Sequence, residues 1–268
     1  MRRFLPLWVF VVLPGIGCAG KVPLPSRLAG LGTAEIRQRI VQARPQSQAY
    51  AASVHVSYFG AQGRVQVAGS LVVQQPDRLR LDLQGPHGGV VRALAVDGND
   101  MTMLDVASDR FFYGPANAAT IDDVLDVAPL GLPPSAWVCL LFGIVDIPDD
   151  AVMRYDDKRG VFVFRWLRAA MGTRVDVDAR SLRPVRVQIC GGVSEVDGIC
   201  ADAARASEVV FLSRDAGSLP QVLRLQVPGR RVEAEVALTA LRRDLDFPVA
   251  TFRIAPPQGI TPKYLAIP

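Results

Sequence analysis

From Ala51 onward the chain alternates between apolar and polar residues. Val54, Val56 and Tyr58 alternate with His55 and Ser57, Val65 and Val67 with Arg64 and Gln66, and Leu79, Leu81 and Leu83 with Arg78, Arg80 and Asp82. Successive side chains of a strand point to opposite faces, so a period of two predicts an antiparallel sheet with one dry face and one wet face. Turn residues punctuate it at Gly60 to Gly63, Gln75-Pro76-Asp77, Gly85 to Gly89 and Asp97-Gly98-Asn99-Asp100. Further strands are predicted over 101–106, 110–113, 151–155, 161–167, 173–177, 184–189, 207–211, 221–227 and 231–241. Two stretches break the alternation. Thr33 can cap a helix over TAEIRQRIVQAR, with Glu35 in its first turn and Ile36, Ile40 and Val41 on one face. Later, Thr120-Ile121-Asp122-Asp123 can cap a helix through Val127, and after LGLPP the run SAWVCLLFGIV (135–145) is apolar on every side. Such a helix is either a core element or a lid over a hydrophobic space.

The order is therefore helix, about six strands, a helical insertion at about 115–147, then six or seven strands. A sheet of that size curls. The predicted fold is mainly β: one domain over 33–268 forming an incomplete antiparallel β-barrel of about 11–13 strands, with helices capping or filling its concave face. A curled dry face can hold hydrocarbon, because burial of apolar surface contributes about 25 cal/mol per Å². Candidate lining residues are Leu79, Leu81 and Leu83 on one strand, Met101 and Met103, and Trp137, Leu140, Leu141 and Phe142 in the apolar insertion. Plain core packing is the competing role for each.

The chain start changes the picture more than composition does. Arg2 and Arg3 precede an apolar run, Phe4 to Ile16, that is too short to span a bilayer and reads as an export signal over 1–17. Gly15, Ile16 and Gly17 before Cys18 resemble the lipobox of bacterial lipoproteins. That resemblance implies cleavage before Cys18 and its acylation; two chains hold a protein on a bilayer where one releases it. Residues 18–32, rich in Pro, Gly and Ala, read as a lipidated tether. Ala19 is not the Asp that retains enterobacterial lipoproteins at the inner membrane, which points to the outer membrane. Loss of Arg2 and Arg3 lowers a formal charge of only +4, with no clustered basic face to suggest nucleic acid.

Three cysteines follow Cys18. Cys190 and Cys200 bracket a glycine-containing loop, and in an oxidising periplasm they are expected to form a disulfide worth on the order of 3 kcal/mol; Cys139 is expected buried and free. The two histidines, His55 and His87, form no metal or nucleophile motif. Asp149-Asp150 and Asp156-Asp157 are adjacent pairs at turns, a poor acid-base couple. No catalytic residue, metal site or cofactor is predicted, and the chain reads as not an enzyme.

The segment PDRLRLDLQGPHGGVVRALAVDGNDMTML (76–104), then FFYG, GLPPSAWVCLLFG, RPVRVQI and a terminal FRIAPPQG resemble the outer-membrane lipoprotein receptor LolB, its carrier relative LolA and related lipoproteins. The resemblance covers nearly all the chain after Ala51. It implies an unclosed β-barrel whose cavity takes acyl chains, an anchor in the outer membrane facing the periplasm, acylated lipoprotein or lipid as cargo, and a LolA-like carrier as partner. It also implies a membrane-facing loop at Pro86 and His87. There the family carries an exposed Leu; His87 stands in its place, either as a polar turn residue or as a weaker membrane contact. A structural or assembly lipoprotein that grips a protein partner with the same fold is the alternative function.

Overall fold

The computed structural model describes residues 21–60, 63–118, 130–168, 171–191 and 206–265. Alternation builds most of it. Strands β1 (Ala49–Gly60), β2 (Gly63–Gln74), β3 (Arg78–Gln84), β4 (Val90–Asp97), β5 (Asp100–Asp105) and β6 (Arg110–Pro115) form one antiparallel meander. A second contains β7 (Val152–Asp156), β8 (Val161–Arg168), β9 (Met171–Asp178), β10 (Pro184–Gly191), β11 (Ser207–Arg214), β12 (Pro220–Val227) and β13 (Val232–Arg243). Pairing of β1 with β13 fuses them, and β14 (Pro262–Tyr264) adds in parallel beside β6. The result is one open 14-stranded sheet ordered β14-β6-β5-β4-β3-β2-β1-β13-β12-β11-β10-β9-β8-β7. The expected class holds; the fourteenth strand exceeds the expected 11–13. In the terminal FRIAPPQG stretch Phe252 ends the 3-10 turn Val249–Phe252, and strand pairing follows later, at β14.

Register places like with like. Directly opposed residues share a face, so Phe164, Val175, Val187, Val209, Leu225, Ala234, Tyr58 and Val65 form one cross-strand row on the concave side. Leu71, Leu81, Leu94 and Met103 form another, and Val73, Leu79, Val96 and Met101 a third. Gly69 sits opposite both Val54 and Leu83. A Cβ there would lie 2.2 Å from the Asp82 carbonyl oxygen, so its missing side chain admits the close approach of β2 to β3.

Among the described residues, two α-helices contribute to the core inside this curl. Helix α1 (Thr33–Gln42) buries Ile36 and Ile40. Its N-cap is Gly32, not Thr33: Glu35 Oε2 accepts the Gly32 N–H at 2.8 Å. Helix α2 (Pro134–Leu141) occupies only part of the apolar run. Gly143, at φ +66°, turns the chain away, and the Gly143 and Ile144 N–H groups bond the Leu140 and Cys139 carbonyls at 2.8 Å each, a Schellman closure. The helix expected from Thr120 through Val127 lies outside the described residues.

The first and last described segments both dock on the sheet. After β13 the chain crosses the convex side of β3–β5: Phe252 is buried, Arg80 Nη1 donates to the Thr251 carbonyl at 3.2 Å, and Arg253 pairs with Asp97 at 2.8 Å. The described part of the segment expected as a tether, residues 21–32, also docks on the domain, while 18–20 lie outside the described residues. Val22 N–H bonds the Asp157 carbonyl at 2.7 Å, Tyr155 Oη donates to the Val22 carbonyl at 2.8 Å, and Leu28 is buried. Its Val, Leu and Pro content is core-forming.

The concave face as candidate functional site

Antiparallel order fixes two rims. At the near rim lie the turns at 75–77, 98–99, 157–160, 179–183 and 215–219; at the far rim lie those at 85–89, 106–109 and 228–231. The concave face runs between them.

Its near half is filled. Tyr50 and Phe142, both 0% exposed, meet edge to face at 5.0 Å, and Tyr50 Oη donates to the Leu141 carbonyl at 3.0 Å. Burial pushes the Tyr50 hydroxyl far above its ordinary pKa, so it stays a donor. Phe164, Leu219 and Val138 are equally enclosed. Arg214 joins β11 to the end of α2. It donates to the Ser218 and Pro184 carbonyls at 2.9 and 2.6 Å, lies 4.8 Å over the Phe211 ring, and sits where a Cβ on Gly143 would be. Burial, then the charge of Arg183, lowers its pKa to about 10.

The far half is apolar but open. Val56, Tyr58, Val67, Leu81, Leu83 and Val236 are half-buried, and Val65 is 48% exposed. One ion pair stands at its lip. Arg92 and Asp105 share a cross-strand row with Leu83, and Arg92 Nη2 donates to Asp105 Oδ2 at 2.9 Å. Burial alone would raise the Asp105 pKa; the bond and charge of Arg92, with bonds from Ser108, outweigh it and hold it below the ordinary value.

The nine expected lining residues divide between these halves. Leu79, Met101, Met103, Leu140 and Phe142 are buried in the single core cluster, while Leu81, Trp137 and Leu141 pack against it half-buried. Leu83 lies farther out, also half-buried. Two surface clefts are formed by described residues away from these side chains. One, of about 520 Å³, lies among 108–110 and 258–263; the other, of about 220 Å³, lies between α1 and 145–147, and none of the nine lines either. Trp137 Nε1 is buried and has no hydrogen-bond partner among the described residues. Sequence reading missed Tyr50, although it keeps step with Val54, and had no signal for the Arg92–Asp105 pair.

The remaining site residues are placed as follows. His87 is exposed in the far-rim turn after Pro86. His55 is exposed on the convex side. Asp149 pairs with Arg37 at 2.5 Å, Asp150 with Arg168 at 2.8 Å and Asp157 with Lys21 at 3.2 Å, so these carboxylates have structural partners. Cys139 is free as expected but half-buried rather than buried, and partial burial, then the charge of Asp146, pushes its thiol pKa up. Cys190 is disulfide-bonded; Cys200 and Cys18 lie outside the described residues. Among the described residues no cluster of His, Cys, Asp and Glu could hold a metal ion, and no helix is long and apolar enough to cross a membrane.

No family model and no curated relative matches the sequence. Solved structures do match the fold. A LolA superfamily protein of Nitrosomonas europaea aligns over 84% of this chain and 98% of its own, at 9% identity and a TM-score of 0.54. A DUF1329 family protein of Desulfovibrio piger aligns over 82% and 95%, at 11% identity and 0.56. A domain assigned to outer membrane lipoprotein sorting in Vibrio parahaemolyticus aligns over 81% and 94%, at 11% identity and 0.54. The chain therefore has the LolA-like fold.

Proposed function

We propose that this chain is an outer-membrane lipoprotein, held by acylated Cys18 and facing the periplasm, that shelters acyl chains on the far half of its concave face. The observation that carries the reading is the run of half-exposed apolar side chains there, from Val56 and Tyr58 across Val65 and Val67 to Leu81 and Leu83. Such a surface gains on the order of 0.8 kcal/mol for each methylene it removes from water. Trp137 adds a buried donor without an acceptor among the described residues, which an ester carbonyl of a lipid would satisfy. The fold shared with a lipoprotein-sorting domain supports a LolB-like task, receiving acylated cargo from a LolA-like carrier or shuttling lipid. A Cys190–Cys200 disulfide completes the reading, and peptide mapping without reduction tests it.

A second reading has its own observation. The near half is packed by its own side chains, with Tyr50, Phe142 and Phe164 fully enclosed, as expected of an assembly lipoprotein that uses the fold to grip a protein partner.

Native mass spectrometry of the mature chain extracted from membranes separates the two. Acyl adducts, together with saturable uptake of a fluorescent fatty acid that Val67→Asp weakens at least tenfold, support lipid shelter. A wild-type chain with neither adduct nor uptake leaves the assembly role.

A further inference from the structure

The docked opening segment decides which rim can approach the membrane. Lys21 pairs with Asp157 in the β7–β8 turn, Val22 bonds that same residue's backbone, and the Arg27 guanidinium donates to the Arg180 carbonyl in the β9–β10 turn. With Leu28 buried, peeling this strap away would expose core surface. Cys18 is three residues upstream of Lys21, and three residues reach at most about 11 Å. The Pro86–His87 loop is at the opposite rim, one length of β3 away; seven strand residues span about 23 Å. Both rims carry arginine, so charge permits phospholipid contact at either, and covalent reach makes the selection. At the near rim Lys158 and Arg180 are exposed and in no ion pair among the described residues.

We propose that the rim built from the β7–β8 and β9–β10 turns lies against the phospholipid surface, held there by the short connection to Cys18. The Pro86–His87 loop and the open half of the concave face then point away from that membrane. The inference rests on acylation of Cys18 and deepens the proposed function. The mouth of the trough meets what arrives from the periplasm, and His87 does not serve as an insertion loop for the anchoring membrane.

The test uses the full acylated chain in phosphatidylethanolamine–phosphatidylglycerol vesicles, with dansylalanine replacing Lys158, Arg180, His87 or Ser108 in turn. A nitroxide on the lipid headgroup is expected to quench the probes at 158 and 180 at least threefold more than those at 87 and 108. Insertion of twenty Gly-Ser residues between Gly20 and Lys21 is expected to erase that contrast while acylation and vesicle binding persist. Quenching at 87 equal to or above that at 158, or a contrast that survives the insertion, overturns the proposal. Intact mass distinguishes the failures. A chain without acyl groups sinks the anchor reading and this one with it, whereas an acylated chain with its 87 probe at the headgroups sinks this one alone.

Discussion

The two halves of the concave face share one sheet, one alternation and one set of cross-strand rows, yet one is solid and the other open. Tyr50, Phe142 and Phe164 are fully enclosed at the near rim, while Val65 remains half exposed toward the far rim. Sheet hydrophobicity does not separate them, since Tyr58 and Val65 belong to the same row as Phe164. Cover does. Strands β1 and β2 have 12 residues each, about 40 Å, whereas α1 has 10 and α2 has 8, about 15 and 12 Å. Helix α2, which packs against β2 and β3, is about a third as long as β2, and apolar side chains of those strands beyond it, such as Val65 and Leu83, stay part-exposed.

That contrast can be broken by substitution. Phe142→Ala at the filled end is expected to lower unfolding free energy by about 3–5 kcal/mol, the range for a buried aromatic, read by urea denaturation. Leu83→Ala at the open end should cost under about 1.5 kcal/mol, because water already reaches part of the side chain. Equal losses would mean that both ends are core. Val67→Asp sharpens the contrast from the other side. At a half-exposed position it is expected to weaken fatty-acid uptake at least tenfold, about 1.4 kcal/mol, with a smaller change in stability. Tyr50→Phe keeps the edge-to-face ring contact and deletes the bond to the Leu141 carbonyl. A loss of about 1 kcal/mol is expected, and no loss would show that the carbonyl finds another donor.

Much of this arrangement was legible in the chain, for physical reasons that differ by element. A period of two is imposed wherever one face is wet, so β1–β3 and β8–β13 declare themselves through residues such as Val54, Leu79 and Val175. The open sheet follows from the number of strands. The length of α2 was not legible from apolarity, since Phe142, Ile144 and Val145 continue the greasy run; the left-handed Gly143 ends the helix. Docking of residues 21–28 escaped because proline-rich segments lack a period whether free or packed. At the site, the alternation identified which residues face inward, and nothing local said which of them a short helix would cover. Leu79 and Leu83 sit on one strand with one spacing, yet the first is enclosed and the second partly open. Pairs such as Arg92–Asp105 depend on register between strands and leave no trace in either segment.

That pair offers the smallest test of the contrast. Asp105 is held below its ordinary pKa, so its stabilising contribution is full above the unfolded value of 3.8 and is lost as pH falls through the lowered folded value. Arg92 is 42% exposed, and solvent screening limits the contribution to under about 1 kcal/mol. Asp105→Asn is therefore expected to be slightly less stable than the parent at pH 7, with the difference shrinking as pH falls below 3.8. Phe142 carries no titratable group, so Phe142→Ala should show the same deficit at both pH values. A constant deficit for Asp105→Asn would assign its effect to packing and make the open lip acid-insensitive. A shrinking one would locate the acid response of the concave face at the end where hydrocarbon is proposed to enter.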